Sequence, residues 1–140
     1  MKIKIRSAGV IVVRRKADTW RYLVLRAFKN WDFPKGIIEP GEEALDAAIR
    51  EVEEESSIND LAFPWGYDFR ETAPYGPGKV ARYYLGLTQK EKLILPVNPE
   101  LGHPEHEEYR WVSFTTAHKM LSPRLTAILE WAQQTIEPLT

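Results

Sequence analysis

The chain of 140 residues has no cysteine, which excludes disulfides and thiolate metal sites and fits a cytoplasmic protein without requiring one. No apolar run approaches membrane-spanning length, and no basic start followed by an apolar segment marks a signal peptide. Internal repeats, linkers and low-complexity stretches are also missing. With 44% apolar and 28% charged residues, the expectation is one globular domain spanning residues 1–140.

Bases are nearly absent from one stretch. Between Gly36 and Asp60 stand nine carboxylates (Glu39, Glu42, Glu43, Asp46, Glu51, Glu53, Glu54, Glu55 and Asp60) and a single base, Arg50. The remainder carries 18 bases against 11 acids, a balance that a polyanion bridged to the acidic stretch by cations could meet.

Leu45, Ala48, Ile49 and Val52 recur at helical intervals, predicting a helix with one apolar stripe. At roughly 100° per residue, Glu51, Glu54 and Glu55 share a sector centred about 120° from that stripe, a face expected to stay accessible. Glu51 and Glu55 are like charges at i and i+4, which costs an isolated helix about 0.2–0.5 kcal/mol, and all three lie toward the end where the helix dipole disfavours anions. A hard divalent cation reverses the sign of that cost and leaves positions for water and phosphate. The competing reading is a solvated acidic face. Gly36, Pro40 and Gly41 precede the helix in a loop able to bring backbone close to an ion or phosphate.

The series Gly36, Glu42, Arg50-Glu51-Val52-Glu53-Glu54-Glu55-Ser56-Ser57-Ile58 resembles the Nudix hydrolase signature at every fixed position but one: Ser57 stands where the family has glycine. The resemblance implies an α/β/α sandwich, an α/β (α+β) fold with a mixed sheet between helices. It implies Glu54 and Glu55 as principal metal ligands, Glu51 as ligand or base, Arg50 as orienting partner and the Gly36 carbonyl as a further ligand. Mg²⁺ is the implied cofactor, with Mn²⁺ as substitute. The glycine normally ends the helix in a left-handed conformation, so Ser57 bears on how this helix stops.

Fragments outside the signature resemble one branch of the family, the asymmetric bis(5′-nucleosyl)-tetraphosphatases. These are Ser7-Ala8-Gly9, Trp31 with Pro34-Lys35-Gly36, Glu105-His106 leading into Tyr109-Arg110-Trp111, and Tyr75, 17 positions after Ile58. The implied reaction takes diadenosine tetraphosphate to ATP and AMP, with a small-molecule nucleotide polyphosphate as partner. Tyr75 offers a ring for base stacking or, alternatively, a cover for the sheet. Lys35 and Lys79 are candidate phosphate contacts, and Glu105 is a candidate further ligand or base. Asn30 stands where related tetraphosphatases have histidine, so a proton donor is not assumed there. His103, His106 and His118 match no compact ligand spacing and are expected in ordinary surface or hydrogen-bonding roles. The alternatives are pyrophosphate removal from RNA 5′ ends or nucleoside triphosphates, and a non-hydrolysing nucleotide-binding regulatory module. RNA would favour a continuous basic track, which the sequence does not show.

The remaining pattern predicts strands over Ile3–Arg14 and Trp20–Leu25 joined by a polar turn, and an extended approach from Phe28 to Pro34. After the acidic helix it predicts a strand over Leu61–Glu71, with Phe63, Trp65, Tyr67 and Phe69 on one side. A loop over Ala73–Gly78 follows, then strands over Val80–Thr88 and Lys92–Leu95, a loop over Asn98–Pro104 and a strand over Glu107–Val112. Ser113 is expected to cap a short helix around Ala117. Ser122 with Pro123 is expected to open a last helix whose buried stripe is Leu125, Ile128, Leu129, Ala132 and Ile136.

Overall fold

The computed structural model describes residues 4–137. Strand β1 (Lys4–Lys16) is the spine of the sheet, and its period-2 alternation divides the interior. Val10 and Val12 point to one face and Ile11 and Val13 to the other, all fully buried. The strand outruns its predicted end at Arg14 because the reversal falls at Ala17, in a left-handed conformation (φ 54°). Ile3, its predicted start, lies outside the described residues.

Strand β2 (Thr19–Ala27) returns antiparallel to β1, pairing Val13 with Tyr22. Strands β3 (Asn30–Asp32) and β4 (Lys35–Ile37) follow, then helix α1 (Ala44–Ser56), strands β5 (Phe69–Glu71) and β6 (Lys79–Leu87), and the two-residue pair β7 (Val97–Asn98) and β8 (His103–Pro104). Strand β9 (Glu108–Val112) and helices α2 (Phe114–Met120) and α3 (Pro123–Ile136) complete the order. Strand β6 runs parallel to β1 on one side, so the sheet is mixed. On the other side the sheet forks: β2 pairs with the far end of β1, β4 pairs with Ser7–Gly9, and β3 pairs with the end of β2. The segment 30–37 is inserted in the fork, beneath α1.

Helix α1 covers one face of the sheet and α2 with α3 the other, which is the α/β/α sandwich. All five predicted stripe residues of α3 are buried. Ser113 Oγ accepts from the Thr116 amide as a cap should, whereas Ser122 occupies the N-cap of α3 without a side-chain cap bond.

Three predictions fail for local reasons. Residues 61–71 form no continuous strand. Pro64 lacks an amide hydrogen and Gly66 takes φ 90°, so the chain turns, leaving an isolated bridge at Ala62 and the short β5. The four aromatics consequently do not share a side: Trp65 packs on the α3 face against Trp20, and Phe63 on the α1 face. Residues 92–95 are not a strand, because the Leu93 amide bonds the Tyr109 hydroxyl (3.1 Å) instead of a ladder partner. The predicted loop over 98–104 contains one strand of a small hairpin, with Asn98 paired to His103.

The stripe of α1 is rotated from expectation. Ala47, Ala48 and Val52 are buried together with Glu55 and Ser56, while Leu45 is half-buried and Ile49 is 37% exposed. At the helix end Ser57 takes the left-handed conformation (φ 68°), its amide bonding Glu53 O (2.9 Å) as a glycine's would. Ser57 Oγ donates to Ile94 O (2.6 Å), which offsets the strain of a β-carbon there, and Lys90 Nζ donates to Ser57 O (3.2 Å). Ser57→Ala keeps the strain and loses the hydroxyl bond, so it is expected to cost about 1 kcal/mol in urea unfolding, with Ser57→Gly closer to wild type. An unshifted midpoint for Ser57→Ala would remove the hydroxyl from the helix stop.

Candidate active site

Arg50 organises the acidic end of α1. Its Nε and Nη2 donate to the two Glu42 oxygens (2.8 and 3.0 Å), Nη2 also to Ile37 O (3.0 Å), and Nη1 to Glu51 (2.8 Å) and Glu54 (3.1 Å). The fork-to-fork bond with Arg50 holds the Glu42 carboxyl down at about 2, helped by the Glu39 amide, and the same bond raises the Arg50 guanidinium above its ordinary range. Arg50 therefore ties the loop after β4 to the carboxylates of the helix.

Glu51 lies against β4. A β-carbon at Gly36 would overlap its carboxylate, so glycine is what lets this acid reach the fork. Glu54 is the outward member, with a 56% exposed side chain that among the described residues is held by Arg50 alone. Glu55 reverses the sequence expectation of an accessible face: it is buried, and neither of its oxygens has a hydrogen-bond partner among the described residues. Burial, then the neighbouring carboxylates of Glu105 and Glu51, push its carboxyl up to about 11.

Glu55 forms the floor of a cleft of about 310 Å³ walled by Phe28, Asn30, Asp32, Lys35, Glu105 and His106. His106 corrects the expectation of an ordinary surface role. Its Nδ1 is 3.6 Å from Glu55 Oε1 and 3.9 Å from Glu105 Oε2, and burial lowers its basicity. Ligand atoms of Glu55, Glu105 and His106 all lie within 4.8 Å of one another. The other two histidines are ordinary: His103 bonds the Pro104 carbonyl, and His118 lies near Glu130 and Phe114.

The sequence reading also missed Asp32. Its Oδ1 accepts from the Phe33 amide (2.7 Å), and its Oδ2 lies 3.6 Å from Lys35 Nζ, holding that lysine in the cleft wall. The adjacency of Glu105 and His106 was a usable signal for the histidine; Asp32 carried none.

Tyr75 and Lys79 do not line this cleft. They bridge one another across the Gly76–Gly78 turn. Tyr75 is half-buried against the α3 face, with the Arg124 guanidinium 4.5 Å from its ring centre, closer to the sheet-covering alternative than to a free ring.

The donor set fits a divalent cation. A buried carboxylate without a partner is costly, and a second and third carboxylate beside it raise that cost unless positive charge is supplied. Oxygens of Glu51, Glu55 and Glu105 suit Mg²⁺ or Mn²⁺, and the adjacent imidazole adds affinity for softer ions.

A pH dependence follows. Without metal the native state keeps the Glu55 proton up to about pH 11, whereas the unfolded chain releases it near 4.5. This stabilisation is complete below pH 4.5 and is lost as pH rises toward 11. Lowered basicity of His106 works the other way only at and below its ordinary range near 6.5. Between pH 7 and 9 the EDTA-treated chain should therefore lose about 1 kcal/mol of stability per pH unit, and saturating Mn²⁺ should flatten the slope. A flat slope in EDTA would contradict the buried, protonated Glu55.

Among the described residues no helix is long and apolar enough to cross a membrane. Residues 3–132 match the NUDIX domain family. The chain is 33% identical over 122 residues to the asymmetrical bis(5′-nucleosyl)-tetraphosphatase of Caenorhabditis elegans, covering 83% of this chain and 84% of the relative. It is 31% identical over 103 residues to an RNA pyrophosphohydrolase of Campylobacter jejuni, covering 66% and 64%. In three dimensions it is similar to the crystal structure of a C. elegans Ap4A hydrolase binary complex, with a TM-score of 0.81, covering 95% of this chain and 99% of the other at 24% identity. With the sandwich, the forked sheet and the Arg50-centred carboxylates all in one chain, this protein belongs to the NUDIX hydrolase family.

Proposed function

We propose that the chain hydrolyses dinucleoside polyphosphates with Mg²⁺ or Mn²⁺, taking diadenosine tetraphosphate and water to ATP and AMP. The observation that carries the reading is the buried Glu55 carboxyl, gathered with Glu105 and His106 within 4.8 Å of one another in a cleft that Lys35 also lines. Likeness to the tetraphosphatase of C. elegans over most of both chains supports the choice of substrate.

Glu51, Glu54, Glu55, Glu105 and the Gly36 carbonyl would hold the metal, with His106 beside them. When bound, the metal supplies positive charge to the nonbridging phosphate oxygens and lowers the pKa of water. Arg50 fixes Glu51 and Glu54 by hydrogen bonds. Glu51 is thereby committed to Arg50 and packed on Gly36, whereas Glu105 is 47% exposed on its loop, so that the Glu105 oxygen not turned to the metal would accept a proton from water. Lys35 meets phosphate oxygens, and the Asn30 amide can donate to them without releasing a proton.

Turnover of diadenosine tetraphosphate, a triphosphorylated RNA and free nucleoside triphosphates in ¹⁸O-water, read by mass spectrometry, tests the reading. The expected result is label in only one of ATP and AMP, marking the attacked phosphorus. Preference for RNA, the substrate in the name of the Campylobacter relative, or for free triphosphates would replace it. Binding without product over hours would favour a regulatory module.

A further inference from the structure

A second cleft, of about 400 Å³, opens beside the first and shares Asn30 and Asp32 with it. Its wall has a different electrical character. Lys29 and Arg124 contribute two cations, Trp31 an aromatic surface and Asp32 the one acid, which lies 3.6 Å from Lys35. Neither Lys29 nor Arg124 makes an ion pair among the described residues. The Arg124 guanidinium lies 4.5 Å from the ring centre of half-buried Tyr75, a contact that favours this orientation of the side chain. Tyr75 itself is absent from the cleft wall, so what the tyrosine offers this cleft is a seat for a cation.

A planar guanidinium braced on an aromatic ring loses little freedom on meeting a phosphate, and its remaining donors match phosphate oxygens two at a time. The first cleft is near the lower size limit of about 300 Å³ for small-molecule sites, so a dinucleotide with several phosphates must extend past it. The Asn30 and Asp32 edge is the shared border.

On the reading given under Proposed function, we propose that the second cleft holds the phosphates farther from the Glu51–Glu55 carboxylates, with Arg124 as the residue that sets preference for long phosphate chains. Tyr75 is a positioning residue for Arg124.

The probe is inorganic tripolyphosphate, titrated calorimetrically into the whole chain in EDTA. Arg124→Ala should weaken binding about 10-fold, and Arg124→Lys, which keeps the charge but not the planar fork, about 3-fold. Lys119→Ala, the same charge change on the exposed side of α2, should leave it unaltered. Under turnover, Arg124→Ala should raise KM for diadenosine tetraphosphate about 10-fold with kcat within about 2-fold, the signature of binding shared by ground and transition states. Absence of tripolyphosphate binding by the wild-type chain, or equal affinity in Arg124→Ala, overturns the proposal. Weakened binding in a chain that hydrolyses no dinucleoside polyphosphate would keep the cleft assignment and reject the hydrolytic reading instead.

Discussion

Glu55→Gln should abolish most turnover and at the same time make the metal-free protein more stable. The substitution keeps the shape of the side chain and removes its charge. If cation binding supplies several kcal/mol of transition-state stabilisation, losing a buried ligand should lower kcat about 10³-fold or more. The stability change has the opposite sign because at pH 8 the native state must hold a proton on Glu55, buried beside Glu51 and Glu105, that the unfolded chain has released, whereas an amide is neutral in both states and can still donate to either neighbour. At pH 8 in EDTA the gain should be about 3–4 kcal/mol, and the decline of stability between pH 7 and 9 should disappear with the titrating group. Both are measurable on one preparation, by steady-state turnover and by urea unfolding across pH. A variant that is inactive and less stable would mean that Glu55 is chiefly a packing residue. One that is fully active would remove it from the metal site.

That opposition of sign bears on what a sequence can disclose. The intervals of Arg50, Glu51, Glu54 and Glu55 were readable because helical periodicity is local, and their chemical types imposed a repulsion that needed a cation. Burial of Glu55 was not readable in the same way. The apolar stripe was inferred from Leu45 and Ile49, whereas the helix docks on its small residues, Ala47 and Ala48, and that rotation carries Glu55 inward. Side-chain volume at an interface depends on the opposing surface, here β1, which no window along α1 contains.

His106 and Asp32 were hidden for a related reason. They meet Glu55 and Lys35 only because the fork between β1 and β2 admits residues 30–37 and β9 pairs along β2. The β4 and β9 pairings join positions far apart in the chain, Ala8 with Gly36 and Val24 with Arg110, which a count of histidine spacings cannot see, whereas Asp32 and Lys35 are only three residues apart. The run of aromatics at 63–69 misled in the opposite direction: alternation suggested a strand, and the backbone limits of Pro64 and Gly66 overruled it. Ser57 is the instructive intermediate. The departure from glycine pointed to the right place, the helix stop, and the structure retains the left-handed turn with one added hydrogen bond, from the Ser57 hydroxyl to Ile94 O.

Gly36→Ala should displace the Glu51 carboxylate and lower turnover. The backbone at this position needs no glycine-specific conformation, so alanine is acceptable to the chain itself, and the conflict is purely with the Glu51 carboxylate. Residue 36 is held in register by β1, where it pairs with Ala8, and cannot easily retreat. Glu51 must therefore move, giving up its bond to Arg50 and disturbing the bonds that Arg50 makes to Glu42 and Glu54. Displacement of a ligand by about 1 Å is enough to cost about 10²-fold in turnover, and overpacking of this kind costs about 1–3 kcal/mol in stability. The double variant Gly36→Ala/Glu51→Ala separates the two effects. Shortening residue 51 makes room for the methyl group, so stability should recover relative to Gly36→Ala with a coupling of about 1–3 kcal/mol, while turnover stays low because the carboxylate is gone. Strictly additive losses of stability would show that the Gly36 backbone does not seat Glu51, and the route from β4 to the acidic face of α1 would have to be redrawn.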